Sequence, residues 1–308
     1  MKLDVIGFGA INLDKICRVN KIVGPGEESF ITSIILSPGG SAANTIVGLS
    51  KLNQRAGYIG KVGPDEDGDY LLNSFEKVDV NIDGIIRSKK GFSGQSLIFE
   101  DRSGEREIYI YPGENDEIFI DEINIDYASD AKVLHLTSFV GNKPFKAQKE
   151  LVKSLTDAVI TFDPGDIYAS RGLIALDALI ENSSIIFTNT SKNGKAVEII
   201  TKKDYKDACK ILIEKGADII AVKLGNQGCY IANKNESYLV KPYKVDVAST
   251  TGAGDAFNAG FIYSFLKGKD LYYCGKFGNF VASRCITQPG AREGLPTLEN
   301  LKEFENKL

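Results

Sequence analysis

Histidine is nearly missing: among 308 residues, His135 is the only one. No mechanism that needs two histidines can operate within one chain, which excludes two-histidine metalloprotease helices and multi-histidine zinc cages. A Ser-His-Asp triad would have to use His135, which sits in Lys132-Val-Leu-His-Leu-Thr137. That pattern predicts a buried strand, with the imidazole packed or hydrogen-bonded inside it. The five cysteines are scattered and form no Cys-x-x-Cys pair. An odd, dispersed set fits reduced thiols in cytoplasm rather than a disulfide framework. No run approaches the roughly 18 apolar residues of a membrane span. Asp4 falls where a signal peptide needs its apolar core, so the expectation is a soluble cytoplasmic protein with no membrane partner. Basic charge is not in excess either: 37 Lys and Arg against 41 Asp and Glu leave −4, which argues against a nucleic-acid partner.

What is present is an ordinary globular composition, 43% apolar and 25% charged, on a chain long enough to bury a core without staples. Length alone permits two domains or one large α/β unit. Short β-branched runs at Leu3–Gly9, Ala131–Leu136, Ala158–Phe162, Ile185–Phe187 and Asp218–Val222 read as buried strands. Amphipathic stretches near 42–53, 66–77, 143–155, 171–181 and 202–216 read as helices between or after them. This alternation predicts an α/β fold, a three-layer sandwich with a mainly parallel central sheet whose ligands bind beyond the strands' carboxyl ends. Two regions break the rhythm. Short β-type runs surround Gly24-Pro-Gly26, and Gln95–Glu100 with Arg106–Tyr111 flank the turn Arg102-Ser-Gly-Glu105 as a hairpin. Segments near 15–37 and 87–113 are therefore expected to form a small β-sheet lid. The plainer alternative is two unrelated surface hairpins. With no repeat or linker-like stretch, one domain with a lid is the better count.

The most informative segment is Thr250-Thr-Gly-Ala-Gly-Asp255 followed by Ala-Phe-Asn-Ala-Gly-Phe-Ile-Tyr-Ser-Phe265. From Ala253 onward it reads as a helix with Phe257, Phe261, Ser264 and Phe265 on one face, and Gly260 allowing close packing. A helix start points unpaired N–H groups outward with a partial positive charge. Gly252, Ala253 and Gly254 leave that start open to a phosphate, and Asp255 lies in the first turn beside it. Phosphoryl transfer to an alcohol asks for both parts, donors for the migrating oxygens and a base for the hydroxyl proton. Taken alone, Asp255 could equally serve only the helix dipole. A second glycine-led helix start, Ser37-Pro-Gly-Gly-Ser-Ala-Ala-Asn44, offers Gly39 and Gly40 for close backbone approach and Asn44 as donor and acceptor for a sugar hydroxyl. Asn12 and Asp14 form a polar pair after the first strand, where a carboxylate can accept from a diol. A dinucleotide fold is disfavoured, because Gly7-Phe-Gly-Ala-Ile-Asn12 lacks the third glycine of its fingerprint.

Pro38–Asn44, the downstream Gly60-Lys-Val-Gly-Pro-Asp-Glu-Asp-Gly68 and Thr250–Asp255 together resemble the two signatures of ribokinase-like (phosphofructokinase-B type) sugar and nucleoside kinases. They lie in the expected order, about 200 residues apart, and the resemblance covers nearly the whole chain. It implies a ribokinase-like α/β sandwich spanning 1–308, ATP with Mg²⁺ as usual donor, and transfer to a hydroxymethyl group. It also implies Asp255 as catalytic base, Gly252, Ala253 and Gly254 as anion hole, and Asn12, Asp14, Gly39, Gly40 and Asn44 as substrate ligands. On the nucleotide side it implies Asn189, Lys223, Gly225 and Gly228 near phosphates and ribose, and Asn279 near adenine; the metal ligands stay unassigned.

Two positions depart from the family pattern. Lys192 stands where an Asn-x-x-Glu motif has its acid, which leaves ADP open as donor. Ser249 replaces an aspartate that often serves a monovalent-cation site, which leaves potassium activation undecided. A free sugar, a nucleoside and a sugar phosphate all fit as acceptor. Phe99 and Tyr109 could stack on a base or form lid core, and Lys89, Lys90, Arg102 or Arg106 could reach a substrate phosphate. A catalytically impaired nucleotide-binding regulator would account for Lys192 and Ser249 but not for an intact Asp255. An exposed lid edge can pair with a second copy, so a homodimer through the lid is a further expectation.

Overall fold

The computed structural model describes residues 2–190, 196–300 and 304. The strands are β1 (Leu3–Phe8), β2 (Asn12–Val19), β3 (Ile31–Gly39), β4 (Ala56–Val62), β5 (Asn81–Arg87), β6 (Gly94–Glu100), β7 (Arg106–Tyr111), β8 (Ala131–Thr137), β9 (Val159–Asp163), β10 (Ile185–Asn189), β11 (Ile219–Lys223), β12 (Cys229–Ala232) and β13 (Ser237–Val240). The helices are α1 (Ser41–Lys51), α2 (Glu66–Glu76), α3 (Ile125–Ser129), α4 (Asn142–Ser154), α5 (Gly165–Ala169), α6 (Gly172–Glu181), α7 (Ala196–Thr201), α8 (Tyr205–Glu214), α9 (Ala253–Leu266) and α10 (Leu271–Cys285).

Among the described residues there are two sheets. The large one has nine strands in the order β13-β12-β11-β10-β9-β8-β1-β4-β5. Its pairs from β5 through β11 are parallel, and β12 and β13 join antiparallel at the edge. Successive strand residues point to opposite faces, so β-branched runs buried on both sides feed two cores. Val5, Val133 and Phe187 pack beneath α1, α9 and α10, while Ile6, Leu134 and Ile186 pack beneath α4, α6 and α8. The strand order reverses at β1, which lies between β4 and β8. The carboxyl ends beside such a reversal form the crevice where ligands bind in open α/β sheets.

The second sheet, β3-β2-β6-β7, joins the two regions that interrupt the α/β rhythm. Two unrelated hairpins are excluded, because β2 and β6 pair in parallel from Asn12↔Gly94 to Arg18↔Glu100. Strands β4 and β5 of the large sheet were not expected from the sequence. Gly57 and Gly60 weaken the strand pattern of β4, yet both face close neighbours, the Tyr127 hydroxyl and Ile11. Helices α5 and α7, at 5 and 6 residues, are too short to show periodicity.

His135 is fully buried on β8, its Nδ1 2.8 Å from the Thr161 hydroxyl, as the strand pattern predicts. Burial pulls the imidazole down to about 4, so it is neutral at pH 7. No helix among the described residues is long and apolar enough to cross a membrane. Helix α9 is held against α10 at Gly260, where a Cβ would come within 2.8 Å of Val281 and 2.9 Å of the Phe277 carbonyl. A Gly260→Ala variant is therefore expected to lose about 1–3 kcal/mol through overpacking, read as a lower urea midpoint at unchanged m-value.

Candidate functional site

The turn before α9 is shaped by Gly252, whose φ of 76° suits glycine. A Cβ there would lie 2.7 Å from the Ala291 Cα, so a side chain would push the 290–292 loop off the turn. Within the turn, the Thr251 amide donates to the Ser249 hydroxyl at 3.2 Å. The Ala253 amide reaches the Thr250 carbonyl only at 3.3 Å. Among the described residues the Gly252 and Gly254 amides have no backbone partner, as the start of a helix leaves them.

Asp255 is half-buried. Its Oδ2 accepts from Asn44 Nδ2 at 2.9 Å, and its main-chain oxygen accepts from the Thr45 hydroxyl at 3.3 Å. Burial pushes the carboxyl up to about 7, against the Asn44 hydrogen bond and the Lys223 charge that favour the ionised form. Asn44 itself is buried, and its Oδ1 accepts from Arg292 Nε at 2.8 Å. Gly40 precedes α1, and its carbonyl accepts from the Asn44 amide at 2.8 Å. Asp14 lies so close to Gly39 that a Cβ there would sit 2.3 Å from its Oδ2. Burial raises the Asp14 carboxyl, against a hydrogen bond from Ser96 and the charge of Arg292. Asn12 accepts from Asn115 Nδ2 at 2.9 Å, and Asn115 also clamps both backbone groups of Ile11.

On the other side of α9, Lys223 ends β11 and Asp163 ends the second strand over, β9. Lys223 Nζ is 2.6 Å from Asp163 Oδ2 and 3.2 Å from Asn258 Oδ1, and Asn258 Nδ2 donates to the same carboxylate oxygen at 2.7 Å. The ammonium also lies against the α9 start, 3.3 Å from where a Gly254 Cβ would be. Gly225 and Gly228 bracket the tight turn between β11 and β12, closed by Leu224 N to Gly228 O at 2.8 Å. Asn189 ends β10 with its Oδ1 3.4 Å from the Ala196 amide. Asn279, on α10, spends its amide hydrogens on the carbonyls of Val240 and Lys241, both at 3.1 Å. Lys192 lies outside the described residues.

The small sheet overhangs this ground. Register puts Asp14, Ile16, Ile35, Ser96, Ile98, Ile108 and Arg106 on one face. That face looks toward the cleft, because Arg106 Nη1 donates to the Thr251 hydroxyl at 3.1 Å. Phe99 and Tyr109 lie on the opposite face, packed edge to face at 6.1 Å. They do not line the cleft, which removes the base-stacking reading. Of the lid cations, Arg102 is occupied by Asn20, whereas Arg106 reaches the α9 turn.

A profile of the pfkB family of carbohydrate kinases matches residues 2–298. The chain belongs to this family. It is 46% identical over 253 residues to a protein of Archaeoglobus fulgidus named as an uncharacterized sugar kinase, covering 81% of this chain and 98% of that one. It is 28% identical over 306 residues to an ATP-dependent ribose-1-phosphate kinase of Halopiger xanaduensis, covering 97% of each. Among solved structures it is similar to a ribokinase of Thermotoga maritima, with a TM-score of 0.87 at 27% identity over 99% of each chain. The α/β sandwich with its small sheet is thus ribokinase-like, and the enzyme is a phosphotransferase with an alcohol group as acceptor.

Three polar residues of the candidate site are not singled out by the sequence. Asp163 ends a strand that was expected to finish at Phe162, and an acid there, before Pro164-Gly165, is a usable signal because parallel strands expose their carboxyl ends to ligands. Asn258 reads in the sequence only as part of the α9 pattern. Arg292 carries no signal, since it reaches Asn44 across 248 residues from a loop with no periodicity.

Proposed function

We propose that this kinase transfers the terminal phosphoryl group of MgATP to a primary hydroxyl of a small sugar or nucleoside, with Asp255 as general base. The observation that carries the proposal is the Asp255 carboxyl held by Asn44 Nδ2 at 2.9 Å in the first turn of α9, beside the Gly252 and Gly254 amides, where burial raises it to about 7. A base with a pKa near working pH combines a useful ionised fraction with real proton affinity. Asp14 would hold the acceptor's diol, with Gly39, Gly40, Asn12 and Asn44 around it. The amides of Gly252, Ala253 and Gly254 would take the oxygens of the migrating group, with Lys223 beside them as fixed positive charge. Asn189, Gly225 and Gly228 stand at neighbouring strand ends, where the donor's phosphates and ribose would lie. For Asn279 only the side-chain oxygen is left for adenine.

Among the described residues no three His, Cys, Asp or Glu side chains converge as a metal cage. Magnesium would arrive with the donor, whose phosphate charge it neutralises. The small sheet would act as the lid, with Arg106 at its tip reaching the α9 turn and its isoleucines covering the acceptor from water. On its outward face Ile34, Leu36, Leu97 and Tyr109 are exposed, which supports a homodimer formed through the lids.

The test is phosphoryl transfer by purified protein with MgATP, and MgADP in parallel, over free sugars, sugar phosphates and nucleosides. Product is expected with MgATP, and kcat/KM is expected to fall about tenfold per pH unit below an acid limb near pH 7, because only ionised Asp255 accepts the proton. An acid limb at the ordinary carboxylate value would remove the buried-base reading.

A further inference from the structure

We propose that Arg292 is a positioning residue for Asp255: it locks the Asn44 side chain in the one orientation that donates to the carboxylate. The inference rests on Asp255 being the base. An asparagine amide has one end that only accepts and one that only donates, and guanidinium only donates. With Arg292 Nε 2.8 Å from Asn44, the atom facing it must be Oδ1, so the atom facing Asp255 must be the NH2. Reversing the amide would set its oxygen against the carboxylate and its NH2 against the guanidinium, two repulsive contacts at once.

Arg292 is itself well fixed. It is 8% exposed, its Nη2 and Nη1 reach the Gly39 carbonyl at 3.5 Å and the Ser74 hydroxyl at 3.4 Å, and its guanidinium lies 5.7 Å from the Phe75 ring centroid. Its main-chain oxygen accepts from Lys51 Nζ at 2.6 Å, which ties the loop to α1. Without Arg292, the amide can turn and its oxygen can accept a hydrogen bond from the protonated Asp255 carboxyl, which favours the protonated acid, the form that cannot act as base. The other titratable groups facing Asp255 are Lys223 from β11, Asp163 from β9, Tyr58 from β4 and Cys285 from α10. Those facing Arg292 are Asp14 from β2, the neutral Tyr58 from β4, Lys51 from α1 and its neighbour Glu293.

The test reads Asp255 directly and needs no acceptor. The side-chain carboxyl resonance of ¹³C-aspartate-labelled full-length protein is followed against pH and assigned by its loss in Asp255→Asn. In Arg292→Met the midpoint is expected to rise by about one pH unit, within the range by which a removed favourable partner moves a carboxyl. Arg292→Lys keeps the charge but not the fork that spans Asn44 and Gly39, and is expected to rise by about half as much. In an Asn44→Ala background the Arg292→Met shift is expected to shrink severalfold, since the intermediary is gone.

An unchanged midpoint in folded Arg292→Met would overturn the proposal, as would an equal shift in the Asn44→Ala background. If Arg292→Met does not fold, an unshifted Arg292→Lys overturns it. The base reading fails separately, through retained turnover in Asp255→Asn, and that outcome leaves the titration midpoints where they are.

Discussion

Asp255→Asn is expected to cut kcat by about 10²–10⁴ while leaving nucleotide binding near the wild-type level and raising thermal stability. The rate loss follows from removing the proton acceptor, whose worth in general-base catalysis is of that order. Binding is spared because the cradle amides of Gly252, Ala253 and Gly254 belong to the backbone, and the new amide oxygen can still accept from Asn44 Nδ2. The stability gain comes from the raised carboxyl. With a folded pKa of about 7 against an ordinary 3.8, the folded state resists ionisation that the unfolded chain accepts. The cost is absent below the unfolded pKa, grows between the two values and is complete above the folded one. At pH 8 it amounts to as much as about 4 kcal/mol. Steady-state turnover, nucleotide titration and thermal melts at pH 5 and 8 check all three parts. Near-normal turnover would end the assignment of Asp255 as base. A variant no more stable at pH 8 than at pH 5, relative to wild type, would mean that Asp255 titrates normally.

Lys223→Met is expected to be the most destabilising single change at the site, costing about 3–5 kcal/mol because it strands a buried carboxylate. Burial pushes the Asp163 carboxyl up, but the Lys223 charge and the hydrogen bonds from Lys223 and Asn258 outweigh it and hold the group below its ordinary value. A depressed folded pKa gives stability that is present above the unfolded pKa and is lost as pH falls through the folded one. The gap between wild type and variant should therefore be widest at neutral pH and narrow below about pH 4. Adding Asp163→Asn should restore much of the stability by removing the stranded charge, without restoring turnover. The ammonium against the α9 start would still be missing, and loss of such a charge-assisted contact is worth about 10–10² in rate. Urea unfolding across pH together with turnover of the single and double variants separates the two roles. Full recovery of turnover in the double variant would make Lys223 a purely structural partner of Asp163.

The parts of the site that were legible beforehand share one property: their chemistry is local in the chain. The α9 start could be read because glycine, helix periodicity and a first-turn acid lie within a few residues of one another. Asn44 was legible as a residue one turn into a glycine-led helix, although its partner Asp255 lies 211 residues away. For Phe99 and Tyr109 the sequence leaves base stacking and lid core both open, because the choice of sheet face depends on register against β2, and a one-residue alternation decides it for the lid. Helices α1, α2, α4, α6 and α8 were anticipated within a few residues, since amphipathic periodicity is an internal property of each segment.

By itself the amino-acid sequence determined the alternation of strands and helices, the glycine-opened helix start and the placement of Asp255 in its first turn, because backbone propensity and periodicity act over ten or fifteen residues. Only the tertiary structure decided what surrounds that carboxylate. The Asn44 amide, the Arg292 guanidinium and the Asp163–Lys223 pair come from α1, a late loop and two other strand ends. Burial and charge at a point in space are sums over whatever the fold brings there, and no stretch of chain contains that sum.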